Sequence, residues 1–173
     1  MRFKVSPARS KRKITEAYID IETTGLSYGA SEITVVGIYI CRGNETEFIQ
    51  FVGQDISADA IIEALAGVDI LYSYNGSRFD LPFIRSQYGV NLEAHFHHRD
   101  LMYDCWGKKL HGGLKGVEKQ LGILRNLPDM NGLEAVKLWW KYVDSFDLDA
   151  LNKLCEYNKE DVINLKTLRD ILL

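Results

Sequence analysis

Four acids and a tyrosine, spread over three separated segments, are the residues of this chain whose types and spacing could do chemistry. Asp20 and Glu22 flank Ile21 and follow the apolar Ala17, Tyr18 and Ile19. Strand side chains two apart share a face. The two carboxylates would then repel each other, and at least one pKa would rise unless a cation lay between them. A strand simply emerging into solvent would show the same spacing. Against that stand the apolar neighbours and the tight exit Thr23-Thr24-Gly25, from which Leu26 projects. Asp80 closes the polar turn Tyr74-Asn75-Gly76-Ser77-Arg78-Phe79-Asp80 after another apolar run. Active sites are common at such turns in α/β sheets, and a helix N-cap is the other reading of the same aspartate. Tyr157 and Asp161 are four apart on a helical pattern and so share a face. Cys155, Val162 and Leu165 lie near it, which directs Asp161 inward, where a charge is costly unless paired or metal-bound. Glu160 sits about 100° further round and is expected to be solvated.

These positions require an ordered frame. Residues 17–21, 33–41, 45–51, 70–74 and 95–99 read as strands, with Arg42-Gly43-Asn44 turning the second into the third as a hairpin. Ser57 can cap a helix over residues 58–66 that places Ile61, Ile62 and Leu65 on one face. A second helix covers 80–88 and stops at Gly89, with Pro82 tolerated in its first turn. Residues 101–106, 114–121 and 133–143 read as helices, and a last one runs from about Leu148 to the C-terminus. Its stripe is Leu148, Leu151, Leu154, Cys155, Val162, Leu165 and Leu168. A hairpin followed by alternating helices and strands implies an α/β fold, a mixed sheet of about five strands with helices on both faces.

With 173 residues the chain fits one domain. Six of its 21 basic residues fall in residues 1–13, which hold no acid; the remaining 15 face all 24 acidic side chains. This separates a basic arm, 1–13, from an acidic domain, 14–173. Such a balance is unusual for a passive nucleic-acid-binding module and suits carboxylates neutralised by cations. Cys41, Cys105 and Cys155 are scattered, as for reduced thiols in a cytosol. Residues 1–13 show no signal-peptide run, and the longest apolar stretch, 33–41, is too short for a bilayer. The expectation is a soluble cytoplasmic protein without a membrane partner.

Other features read more plainly. His95 and His97 would share one side of an edge strand, with His98 beside them, as surface imidazoles lacking a third ligand. Asp100 is placed to cap the next helix and to support the site by a hydrogen bond. Lys108, Lys109, Lys115, Lys119 and Arg125 are solvated positions or a path for phosphates. Trp106, Trp139 and Trp140 lie in amphipathic helices, where core packing is expected for at least two of them.

Together, the three motifs resemble the DnaQ-like (DEDD) 3′→5′ exonucleases of the ribonuclease H-like superfamily. Residues 20–26 match D-x-E-T-T-G-L, 75–80 match N-x-x-x-F-D, and 157–161 match Y-x-x-x-D, the variant with tyrosine in place of histidine. Arg99-Asp100-Leu101, residues 114–123, and residues 151–154 leading into Tyr157 are similar to a bacterial and archaeal branch of predicted exonucleases, sometimes joined to helicases. The resemblance implies hydrolysis with two divalent cations, Mg²⁺ or Mn²⁺, at the 3′ end of a single-stranded nucleic acid, DNA favoured over RNA. Asp20 would bridge both ions, Glu22 and Asp161 would complete the water-activating site, and Asp80 would hold the second ion. Tyr157 would orient the water. Leu26 would wedge against the terminal base, with Asn75, Phe79, Thr23 and Gly25 around the last nucleotides. A helicase or another repair protein is the implied partner. A non-catalytic binding domain and a structure-specific endonuclease on the same fold are the alternatives.

Overall fold

A computed structural model describes residues 13–173, so the basic arm lies outside the described residues except for Lys13. Five strands form one sheet in the order β3-β2-β1-β4-β5. They are β1 (Thr15–Thr23), β2 (Ile33–Arg42), β3 (Glu45–Val52), β4 (Ile70–Ser73) and β5 (His97–Asp100). The first three are antiparallel neighbours, whereas β4 runs parallel to β1 and β5 parallel to β4. Helices α1 (Ala58–Ala64), α2 (Asp80–Tyr88) and α3 (Leu92–His95) connect β3, β4 and β5; α4 (Leu101–Gly107), α5 (Leu114–Leu121), α6 (Gly132–Ser145) and α7 (Leu148–Leu172) follow. The expected mixed α/β sheet, covered on both faces, is what forms.

Alternation along β1 divides the core. Ala17, Ile19 and Ile21 pack with Ile61 of α1, with Leu65 just after it, and with Leu81, Phe83 and Ile84 of α2. Tyr18 points the other way, onto Leu101 and Cys105 of α4 and Leu165 and Leu168 of α7. By the period of two, Asp20 and Glu22 fall on the α7 side. Beyond Tyr18, which pairs with Tyr72, β1 has no further partner in β4. That side of the strand end is open, and the polar chemistry collects there.

Several boundaries differ from the expectation. Strand β5 begins at His97, because Leu92–His95 forms a helical turn whose end, Phe96, donates its N–H to Leu92. His95 and His97 are therefore not strand neighbours, though both are exposed. His98 is half-buried, its Nε2 2.8 Å from Ser73 Oγ, and burial lowers its pKa. Helix α6 starts at Gly132, since the Asn131 side chain accepts the Glu134 N–H at 3.1 Å. Asp147 caps α7 through Ala150 N–H, and Leu148 is exposed instead of joining the buried stripe. Of the tryptophans only Trp139 packs against a core cluster; Trp106 and Trp140 are exposed, contrary to expectation. Among the described residues no helix is long and apolar enough to cross a membrane, and the three cysteines are free.

Candidate active site

Carboxylate oxygens of Asp20, Glu22 and Asp161 lie within 4.8 Å of one another. Strand β1 supplies the first two and α7 the third, as the strand and helix periods required. Tyr157, one turn before Asp161, is buried beside them. Asp80 reaches the same cleft by a different route: its Oδ1 accepts the Ile21 N–H at 3.0 Å, where β1 has left β4. It is the first residue of α2, and Phe79 occupies the N-cap position, so the capping alternative does not hold.

The cleft encloses about 480 Å³ and gathers the other expected residues. Thr23 Oγ1 donates to Gly25 O at 2.6 Å and closes the turn after β1. A Cβ on Gly25 would sit 2.7 Å from Ser31 Oγ, so glycine lets the turn fold tightly. Leu26 beyond it is 85% exposed. Phe79 packs edge-on against Phe83 with ring centroids 5.3 Å apart. Asn75 adopts a left-handed φ of 61°, held by its N–H donating to Asp100 Oδ1 at 2.7 Å. Asp100 also accepts from Ser77 N–H and hydroxyl, and from Met102 N–H as the cap of α4. Both expected functions of Asp100 are present.

Three groups of residues were not anticipated. Asn158, fully buried, donates from Nδ2 to Asp20 Oδ2 at 3.0 Å, while its Oδ1 accepts from Gln50 Nε2 at 2.9 Å. Gly37 pairs with Asp20 across β1 and β2, and a Cβ there would lie 2.2 Å from Asn158 Oδ1. The signals were a lone glycine inside a β-branched strand and the helical spacing Leu154, Asn158, Asp161, Leu165. Gly37→Ala is expected to cost about 1–3 kcal/mol by overpacking a rigid contact. Urea unfolding measures it, and a loss under about 0.5 kcal/mol, the usual surface value, would contradict the fit.

The third group is an interior ion-pair chain. Arg125 Nε lies 2.7 Å from Glu118 Oε2, and its Nη2 donates to Asp161 Oδ1. Glu118 Oε1 also accepts from Asn164 Nδ2 at 2.9 Å. The Arg125 side chain is only 6% exposed, so it is not part of a surface path for phosphates. Lys115 is half-buried with Nζ 4.4 Å from the Tyr157 ring centroid; Lys108, Lys109 and Lys119 are exposed. Glu160 is not simply solvated, because it accepts the backbone N–H groups of Asn126 and Leu127 and ties down the loop that follows α5.

Burial is the main cause of the site's electrostatics. It pushes Asp20 up to about 7, only partly offset by the Asn158 hydrogen bond and by Arg125. Glu22 and Asp80 are raised well above the usual carboxylate range by burial and by the neighbouring acids. The Tyr157 hydroxyl is raised by burial and then by Glu22 and Asp20, which keeps it protonated at neutral pH. An all-oxygen set of crowded, proton-retaining carboxylates fits a hard divalent cation of the Mg²⁺ or Mn²⁺ type. In metal-free solution the folded chain retains protons that the unfolded chain, with Asp20 near 3.8, releases. The stability contributed by this group is full below about pH 4 and is lost as pH rises through about 7. Asp20→Asn is expected to flatten the decline of Tm over that window in chelator; an unchanged slope would contradict the assignment.

A five-stranded sheet in this order, with acids from its central strand and its C-terminal helix meeting at one end, has the ribonuclease H-like architecture. The family model described as RNase H superfamily matches residues 17–173, and the chain belongs to that superfamily. It is 30% identical over 176 residues to a Methanocaldococcus jannaschii protein described as uncharacterised, covering 92% of this chain and 96% of that one. Among solved structures it is similar to the family B DNA polymerase of Pyrobaculum calidifontis, with a TM-score of 0.71 and 14% identity. That match takes in 92% of this chain and 24% of the polymerase, so the chain spans about a quarter of its length. It is also similar to Brucella melitensis NrnC in a structure with bound Mg²⁺, at a TM-score of 0.61 and 20% identity over 96% of this chain and 76% of NrnC. At these identities the two structures speak to the fold.

Proposed function

We propose that the chain is a metal-dependent 3′→5′ exonuclease acting on single-stranded nucleic acid. The observation that carries this reading is the convergence of Asp20, Glu22 and Asp161 within 4.8 Å, in one cleft with Asp80 and Tyr157. The presence of Mg²⁺ in the similar NrnC, and of pGG in another NrnC structure, supports it. Asp20, Glu22, Asp80 and Asp161 would hold two divalent cations, Mg²⁺ or Mn²⁺. When bound, such ions lower the pKa of an attacking water and neutralise charge on the departing 3′ oxygen.

The chain's own residues supply the positioning. Asn158 holds Asp20 from one side, and Arg125 holds one oxygen of Asp161. Tyr157, protonated, is a poor general base; its hydroxyl orients the water. The Thr23–Gly25 turn presents Leu26 as a wedge for the terminal base, and Asn75 and Phe79 border the last nucleotide. A matched pair of linear and covalently closed single strands tests the reading. With Mn²⁺ the linear strand should disappear and the circle persist; cutting of the circle indicates an endonuclease, and binding without turnover a non-catalytic domain. The same assay on DNA and RNA strands decides the polymer.

A further inference from the structure

Tyr103 and Trp106 lie three apart on α4, so they share a face. They are 45% and 39% exposed, and their rings meet edge to face with centroids 5.4 Å apart. The Arg78 guanidinium spans both, 5.8 Å from the Tyr103 ring and 5.5 Å from the Trp106 ring. Aromatic area of this size is normally buried; here it faces water on a braced support. Arg78 donates its N–H to Asn75 O at 3.1 Å, and its carbonyl accepts from the Tyr28 hydroxyl. Ser77 Oγ lies 2.6 Å from Asp100 Oδ2 and 3.4 Å from the Tyr103 hydroxyl oxygen. Asp100 in turn holds Asn75, which lines the acid cleft. Tyr103 is thus linked to the cleft through Ser77 and Asp100, and Trp106 through its ring contact with Tyr103.

Two further observations bear on what would bind there. A furrow of about 540 Å³ is lined by Asp20, Tyr157 and Asp161 together with Asn75, Met102 and Gly112. Met102 belongs to α4, so the furrow borders the helix that carries the two rings, although neither ring nor Arg78 lines it. Exposed cations flank the rings although the chain's net charge is −3. Lys108 and Lys109 are exposed just beyond Trp106, and the one acid between the two rings, Asp104, is paired with Arg99 at 2.6 Å.

We infer that Arg78, Tyr103 and Trp106 form a stacking platform for a single nucleic-acid strand, upstream of the nucleotide in the acid cleft. Every base has a face that an aromatic ring can stack on, and an arginine between two rings adds attraction for the phosphates, so such a surface is tolerant of sequence. The platform rests on the nuclease reading, and its test separates the two. A 5′-labelled single strand of about twelve nucleotides, inside the roughly 4–16 that single-strand sites span, is titrated in chelator and followed by fluorescence anisotropy. That readout needs no turnover. Tyr103→Ala with Trp106→Ala should weaken binding about tenfold per ring removed. Trp106→Phe, which keeps an aromatic face, should retain most of the affinity, and Trp140→Ala, on the separate helix α6, should match the wild type. With Mn²⁺, the KM for this strand should rise in parallel, while the KM for a dinucleotide, which would occupy the acid cleft alone, moves little. Unchanged affinity in the double variant overturns the platform, as does an equal loss on the dinucleotide, or a wild-type chain that does not bind the strand. If binding depends on the two rings and no strand is ever hydrolysed, the platform stands and the nuclease reading falls.

Discussion

Asp20→Ala is expected to reduce Mn²⁺-dependent hydrolysis by at least about a thousandfold, because the several kcal/mol that cations contribute to the transition state depend on their ligands. Asp20 is the acid at which the others converge: Asn158 donates to it, Glu22 lies on its face of β1, and Asp161 reaches it from α7. The fold should survive. The carboxylate sits at the open end of β1, and Asn158 keeps its second bond, from Nδ2 to the Asp20 backbone carbonyl at 3.2 Å. In metal-free buffer above about pH 7, where Asp20 is charged in the folded chain, the variant should melt at or above the wild-type temperature. Loss of activity together with a collapsed Tm would point to a structural role for Asp20, and activity within about tenfold of wild type would remove it from the chemistry.

The second large effect is on stability. Arg125→Met is expected to destabilise the fold by about 3–5 kcal/mol, the range for breaking a buried ion pair by removing one partner. Glu118, 1% exposed, would keep only the Asn164 amide, and Asp161 would lose its guanidinium. The cost comes mainly from the stranded carboxylate. Arg125→Met combined with Glu118→Gln should therefore recover a large part of it, since a neutral amide needs no counter-charge. Urea unfolding of the two variants checks this. A single variant within about 1 kcal/mol of wild type, typical of an exposed pair, would mean that the interior chain of charges contributes little.

The residues proposed to carry chemistry were legible because their types are costly elsewhere in a fold. An inward Asp161 on a helix and two acids on one face of β1 are unfavourable unless paired or metal-bound, and the structure brings the three together. Local rules also sufficed for the β2–β3 hairpin, for the Ser57 cap of α1, and for the Gly89 stop of α2. What escaped depends on which elements cross. Gly37 is informative only once α7 lies over β2, and Asn158 only once Gln50 and Asp20 face it. Arg125 resembles a surface cation in a loop until Glu118 and Asp161, 7 and 36 positions away, close around it. The tryptophans misled because helical periodicity gives a face without saying what covers it. Helix α6 buries Ala135 and packs Leu138 and Trp139 against the cluster formed by Val35, Met130, Leu154 and Tyr157, which turns Trp140 outward.

The most direct test of the metal-centred site is a time course on a 3′-labelled single strand with Mn²⁺, run beside chelator and Asp20→Ala controls. The account predicts labelled mononucleotide from the first time points with wild-type protein, and an intact strand in both controls. A strand that stays whole with wild type and Mn²⁺, or that yields internal fragments before any mononucleotide, would contradict it.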